Sequence, residues 1–177
     1  MTTFLRRLLA ALALDPKLFE EVEADRRATG QALVVVLAAA VGAGIGNAGL
    51  GAGATTVMVV VAIGSVTAWA VWASLLYLLG TKVLAEPTTS VDLGQVLRTL
   101  GFAAAPGIFR AFEIFGGTRW FVLPLTSVWM VWAMVIAIRQ AFDYTSTMRA
   151  VALALLGWAV TFGVALVVGL LMARPVS

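Results

Sequence analysis

The chain has no cysteine and no histidine among its 177 residues. Without cysteine there is no disulfide framework, no thiolate nucleophile and no cysteine metal site. Without histidine, the commonest general base, the commonest transition-metal ligand and the usual haem ligand are missing too. Charge is also scarce, at 12% of residues, where a soluble globular domain carries about a quarter. Five of the nine carboxylates (Asp15, Glu20, Glu21, Glu23 and Asp25) crowd into the N-terminal segment. A serine nucleophile needs a lysine or carboxylate to activate it, and no serine adjoins one. These absences lead us to expect no catalytic residue, no cofactor-binding residue, no metal site and no enzyme.

What the chain has in quantity is apolar surface: 62% of residues are hydrophobic and the mean hydropathy is +1.01. A water-soluble fold of this composition lacks the polar surface to cover itself, whereas lipid accepts what water rejects. The formal charge of +3 comes from twelve basic residues scattered along the sequence. They form no nucleic-acid patch and suit loops between membrane spans. The expected partner is the lipid bilayer, together with the chain itself or another membrane protein, and no nucleic acid.

Charged residues act as punctuation. Between Arg27 and Lys82 lie 54 uncharged residues, between Arg119 and Arg139 lie 19, and between Arg149 and Arg174 lie 24. A helix of about 20 apolar residues crosses a bilayer, so the first run holds two spans, 31–50 and 56–79, joined by Gly51-Ala52-Gly53-Ala54. The others give 120–138 and 150–173. The segment 95–115 is ambiguous, because only 11 residues separate Arg98 from Arg110. A third span there places both arginines within about two turns of an interface, where long side chains snorkel. Glu113 follows Arg110 by three residues and can pair with it. The alternative is a re-entrant hairpin turning at Ala105-Pro106-Gly107. The expected fold is thus an all-α polytopic membrane protein with five transmembrane helices, the third open to the re-entrant reading, plus short N-terminal amphipathic helices. Residues 1–30 form a cytoplasmic or interfacial segment and 31–177 the membrane domain.

With five spans and the N-terminus inside, nine Lys and Arg residues fall on the cytoplasmic side and three on the far side; the four-span alternative gives ten and two. The positive-inside rule puts the N-terminus in the cytoplasm either way. Near that terminus, Phe4, Leu5, Leu8, Leu9 and Leu12 recur at helical spacing beside Arg6 and Arg7. That pattern fits an interfacial helix facing anionic headgroups better than a signal peptide, because an acidic helical stretch follows. Asp15-Pro16 restarts a helix as N-cap and first position. Its acidic residues offer either a docking surface or a solvated face.

Gly44-Ile45-Gly46-Asn47-Ala48-Gly49 matches the dinucleotide pattern G-x-G-x-x-G, but inside an uncharged span with no following acid at the required distance. A better reading uses small-residue spacing. Ala38, Gly42 and Gly46 fall four apart, as do Gly49 and Gly53, which lets helix backbones approach closely. Packing within the chain is the simpler outcome and a dimer seam the other. Pro106 and Pro124 interrupt apolar segments, and broken helices can mark transport sites. Together with Asn47, Arg98 and Thr99 they form a candidate midplane polar or kink site. Trp69 and Trp72 lie mid-span, where they could cradle an apolar ligand, although core packing is the commoner role. Asp92 and Gln95 have capping-box spacing, while Trp120 suits an interface.

Several stretches, in order, resemble the bacterial branch of the Yip1 domain family. They are Leu14-Asp15-Pro16-Lys17-Leu18-Phe19-Glu20 with Ala28-Thr29-Gly30-Gln31-Ala32-Leu33, then Tyr77-Leu78-Leu79-Gly80-Thr81-Lys82, then Leu97 to Gly107, then Trp132 to Tyr144, leading to Arg149-Ala150-Val151 and Leu156-Gly157-Trp158. The resemblance implies five spans, a cytoplasmic N-terminus and a bacterial inner membrane. Eukaryotic members bind Rab-type GTPases, but their Asp-Leu-Tyr-Gly-Pro motif is absent here, so that role does not carry over. The leading expectation is a non-enzymatic membrane protein acting through protein–protein and helix–helix contacts. The alternative is a small transporter, channel or lipid-handling protein using the segments around Pro106 and Pro124.

Overall fold

The computed structural model describes residues 3–48, 53–87 and 89–172. Among them are seven α-helices, one 3-10 helix and no strand. Two short helices, α1 (Thr3–Leu12) and α2 (Pro16–Ala24), precede α3 (Ala28–Ala48) and α4 (Ala54–Lys82). Then come α5 (Leu93–Ala103), the 3-10 helix (Ala105–Ile114), α6 (Arg119–Ala141) and α7 (Thr147–Met172). Four of these, α3, α4, α6 and α7, are long and apolar enough to cross a membrane.

Local chemistry sets the ends. The Asp15 carboxylate accepts a hydrogen bond from the Lys17 N–H at 3.0 Å, with Pro16 at the first helical position. Asp92 and Gln95 form a reciprocal capping box that starts α5. Helices α1 and α6 both close on a residue in the left-handed region, Leu14 (φ 59°) and Asp143 (φ 51°). At each, two backward hydrogen bonds satisfy the last carbonyls: Asp15 N to Ala10 O and Leu14 N to Ala11 O after α1, Tyr144 N to Arg139 O and Asp143 N to Gln140 O after α6.

The segment 93–114 does not turn back at Ala105-Pro106-Gly107. Pro106 has no N–H, and its ring opposes a continuing α-helix, so the chain tightens into a 3-10 helix of 10 residues and keeps its direction. Contacts with α3 trace the path. Gly101 lies on Ala32, Gly107 on Ala39, Gly42 on the carbonyl of Ile108, and Gly46 on that of Arg110. The segment therefore runs parallel to α3, from its start towards its end. Helix α4 returns antiparallel (Gly44 against Met58), α6 returns likewise (Gly107 against Met130), and Phe142 beyond α6 meets Gly80 near the end of α4. We call the end holding the start of α3 proximal and the other distal.

This arrangement explains how an apolar protein holds a charged, interrupted segment. From Val96 to Gly107, every residue except Leu97 and Ala104 is buried, enclosed by α3, α4, α6, α2 and the 3-10 helix's contacts with α1. The uncharged helices take the outside: every residue of α7 from Thr161 to Met172 is exposed, as are Val57, Val59, Val60 and Ile63 of α4. Polar backbone in lipid is costly, so the broken helix sits where protein surrounds it.

Candidate functional site

Two features stand out above ordinary helix packing. The first is the proximal cap made by α1 and α2. Arg7 is 6% exposed, and its guanidinium is fully engaged by protein. Nε donates to Glu21 Oε1 at 2.9 Å, Nη2 to Asp25 Oδ2 at 2.8 Å and Nη1 to Gln31 Oε1 at 2.9 Å. Arg6 adds hydrogen bonds to both Glu21 oxygens at 2.7 and 2.8 Å. The arginines expected at anionic headgroups are instead turned onto the acids of α2. Charge attraction between two segments joined by a tight turn is satisfied within the chain.

Electrostatics follow from that geometry. The Arg6 hydrogen bond, opposed by partial burial and helped by Arg7, holds the Glu21 carboxyl below its ordinary range. Arg7 and the Arg27 backbone N–H do the same for Asp25. Burial of Arg7 works against its charge, but its bonds to Asp25 and Glu21 outweigh this and raise its pKa. Glu23 is different: burial, reinforced by Asp143 and opposed by Arg98, pushes it up to about 7. Its Oε1 accepts from Gln95 Nε2 at 2.9 Å, and Glu20 accepts from Gln140 at 3.0 Å. The acids of α2 thus fasten it to the bundle, instead of forming a free acidic face.

Arg98 does not snorkel. It is 5% exposed, and its Nε donates to the Val22 carbonyl at 2.9 Å while Nη2 reaches that of Glu23. These carbonyls belong to the last turn of α2, where intrahelical partners run out. The arginine serves as a C-cap delivered from another helix. Trp129 likewise donates to Leu12 O at 3.1 Å, at the end of α1.

The second feature is an apolar cavity of about 430 Å³ between α3, α4, α5, the 3-10 helix, α6 and α7. Trp69, Trp72 and Trp158, Met130 and Met134, and the small residues Ala39, Ala40 and Ala43 form its wall, and among the described residues Arg110 is the one charged group lining it. Trp69 is fixed by donating to Leu97 O at 3.1 Å. Near the distal end Glu113, with its side chain fully buried, accepts from Arg110 Nε at 3.0 Å and lies 3.8 Å from Arg119 Nε.

The residues singled out from sequence are placed as follows. Gly42 and Gly46 face the 3-10 helix of the same chain; Ala38 is half-buried on α3. Gly53 caps α4 at φ 85°, with no described atom within 4 Å of an added Cβ, and Gly49 lies outside the described residues. Arg98 and Thr99 are neighbours midway along α5. Thr99 donates to the Gln95 and Val96 carbonyls. Asn47 is near the distal end of α3 and donates to Ala43 O. Pro106 is buried at the start of the 3-10 helix, whereas Pro124 is exposed in α6. These five are not gathered at one polar site. Sequence reasoning missed the Arg7 clasp and, apart from Trp69 and Trp72, the cavity wall. The basic pair before the turn and the acids after it signalled the clasp; for the cavity, the two mid-span tryptophans were the one local signal.

No curated protein and no solved structure matches the chain. The Yip1 domain family model matches residues 10–169, which takes in α2 to α6 whole, the end of α1 and all but the last turn of α7. The chain is an integral membrane protein and belongs to the Yip1 domain family.

Proposed function

We propose a five-crossing, non-enzymatic membrane protein with its N-terminus on the cytoplasmic face of a bacterial inner membrane. It acts in membrane organisation through protein–protein and helix–helix contacts. The observation that carries this reading is the split between inner and outer helices. The charged segment and the cap use their polar groups inside the chain, while the distal halves of α4 and α7 present apolar surface that no described residue covers. Gly64, Gly163 and Gly169 lie on those halves with nothing within 4 Å of an added Cβ, which suits close approach of another helix.

The fifth crossing is supported by length. Helix α5 has 11 residues and the 3-10 helix 10; at rises of about 1.5 and 2.0 Å per residue they extend about 36 Å, against about 30 Å of hydrocarbon. A reporter active only outside the cytoplasm, fused to the C-terminus, should be active; silence there, with activity of a cytoplasmic reporter, restores four crossings. The cysteine-free sequence suits crosslinking in membranes from single cysteines placed along α7, such as Val164→Cys and Val168→Cys. A solitary monomer at every position refutes the contact role. A polar transport path through Pro106 and Pro124 is less well supported, because Asn47 and Arg98 lie at opposite ends and both are engaged by backbone carbonyls.

A further inference from the structure

Helix α7 closes the gap between α4 and α6 only part of the way. Gly157 is pressed against Trp72 and Leu76, Trp158 lines the cavity, and from Thr161 onward α7 is exposed throughout. Above Trp158 the cavity therefore reaches the surface between α4 and α6, where the lining residues Ala68 and Val131 are exposed. That opening faces the surroundings of the two long apolar helices, which in a membrane are lipid chains.

We propose that this cavity holds one acyl chain of a membrane phospholipid, with its phosphate bound by Arg110. A volume of about 430 Å³ lies within the range of cavities that enclose small ligands. Its walls offer water too few partners to fill it, so an apolar occupant entering through the opening suits it better than solvent does. The flexible thioethers of Met130 and Met134 adapt to a chain of variable shape. The polar end is complementary to an anion. Arg110 and Arg119 face a single carboxylate, Glu113, which leaves one positive charge in excess. Only Nε of Arg110 is bonded among the described residues, so its two terminal nitrogens remain to grip phosphate oxygens as a fork. Arg110 also lies beside Gly46, near the end of α3, so a phosphate there sits towards the distal interface with its chain running inward to Trp69 and Leu100.

This site does not depend on the contact role proposed above. The test is native mass spectrometry of the delipidated full chain in mild detergent. It would be titrated with dioleoyl phosphatidylglycerol and, separately, with dioleoylglycerol, which has the same chains and no phosphate. The wild type should bind one phosphatidylglycerol, about tenfold more tightly than dioleoylglycerol, as befits charge-assisted hydrogen bonds. Arg110→Gln should bind the two lipids alike. Ala68→Trp, which fills the cavity from an exposed position, should bind neither, while Ala159→Trp, exposed on α7 away from the lining, should bind as the wild type does. Ser65→Phe gives a second filled variant, and the thermal midpoint checks that each variant is folded. Unchanged binding in both filled variants shows annular lipid only and overturns the proposal. An unaltered phosphatidylglycerol preference in Arg110→Gln overturns the phosphate assignment.

Discussion

Replacing Gly42 by alanine tests the packing on which the central segment depends. An added Cβ at that position would stand 2.6 Å from the Ile108 carbonyl oxygen and 3.0 Å from that of Gly107. Both are backbone atoms of the 3-10 helix, so no side-chain rotation relieves the overlap. The 3-10 helix must move off α3 or α3 must bend, at about 1–3 kcal/mol for an overpacked core site. Gly46→Ala meets the Arg110 carbonyl oxygen even more closely and should cost at least as much. Gly64→Ala on α4 meets nothing within 4 Å and gains helix propensity, up to about 1 kcal/mol in an exposed helix. In a chain of this length each kcal/mol moves the thermal midpoint by about 2–4 °C. Intrinsic tryptophan fluorescence during heating in detergent reads the shift without a label. Gly42→Ala should melt several degrees below Gly64→Ala, with Gly46→Ala lower or equal. Equal midpoints for Gly42→Ala and Gly64→Ala would refute the close approach of α3 to the 3-10 helix. A loss seen only at concentrations where the protein self-associates would move those glycines to an interface between copies.

Other perturbations address the cap. Arg98→Met strips two carbonyls of α2 of their donor, at about 1–3 kcal/mol for buried groups left unsatisfied. Faster amide hydrogen exchange in α1 and α2, with α7 unchanged, would register the undocking; uniform protection would contradict it. Arg7→Met leaves Glu21 and Asp25 without their shared cation, so the same exchange increase is expected, together with Glu21 titrating closer to its ordinary range by carboxyl NMR. Glu23 has a folded-state pKa raised to about 7, so the native state holds its proton where the unfolded state has lost it. Its contribution is present below the unfolded pKa of 4.5 and is lost as pH rises towards 7. Thermal stability should therefore fall across that window in the wild type and stay flatter in Glu23→Gln; parallel curves would contradict the assignment. Asp143→Asn removes a charge that helps raise Glu23 and should move that titration to lower pH.

Much of the fold was legible in the sequence because burial in lipid and capping are local. Uncharged runs marked α3, α4, α6 and α7, and the end signals at Asp15-Pro16 and Asp92–Gln95 sit where the helices begin. The Arg110–Glu113 pair was legible from its spacing. Three arginines were misread for one reason. Arg6, Arg7 and Arg98 were assigned to headgroups because a lone cation near a membrane end has nowhere else to go on one helix. Their partners, Glu21, Asp25 and the carbonyls of Val22 and Glu23, become available only when α1 and α2 fold back across the proximal end.

The sequence alone determined the solvent of this protein: too few charges to cover a globule in water, and runs long enough for helices in lipid. It also determined where a helix could not continue, at Pro106, because a missing N–H is a property of one residue. Tertiary structure decided that the interrupted, charged segment lies at the centre and the uncharged helices outside. That choice depends on every neighbour at once, since unsatisfied backbone is tolerated only where other chain segments surround it. It decided the cavity as well, because a space between five α-helices and the 3-10 helix is set by where α7 leaves the bundle, and no single stretch of sequence encodes it.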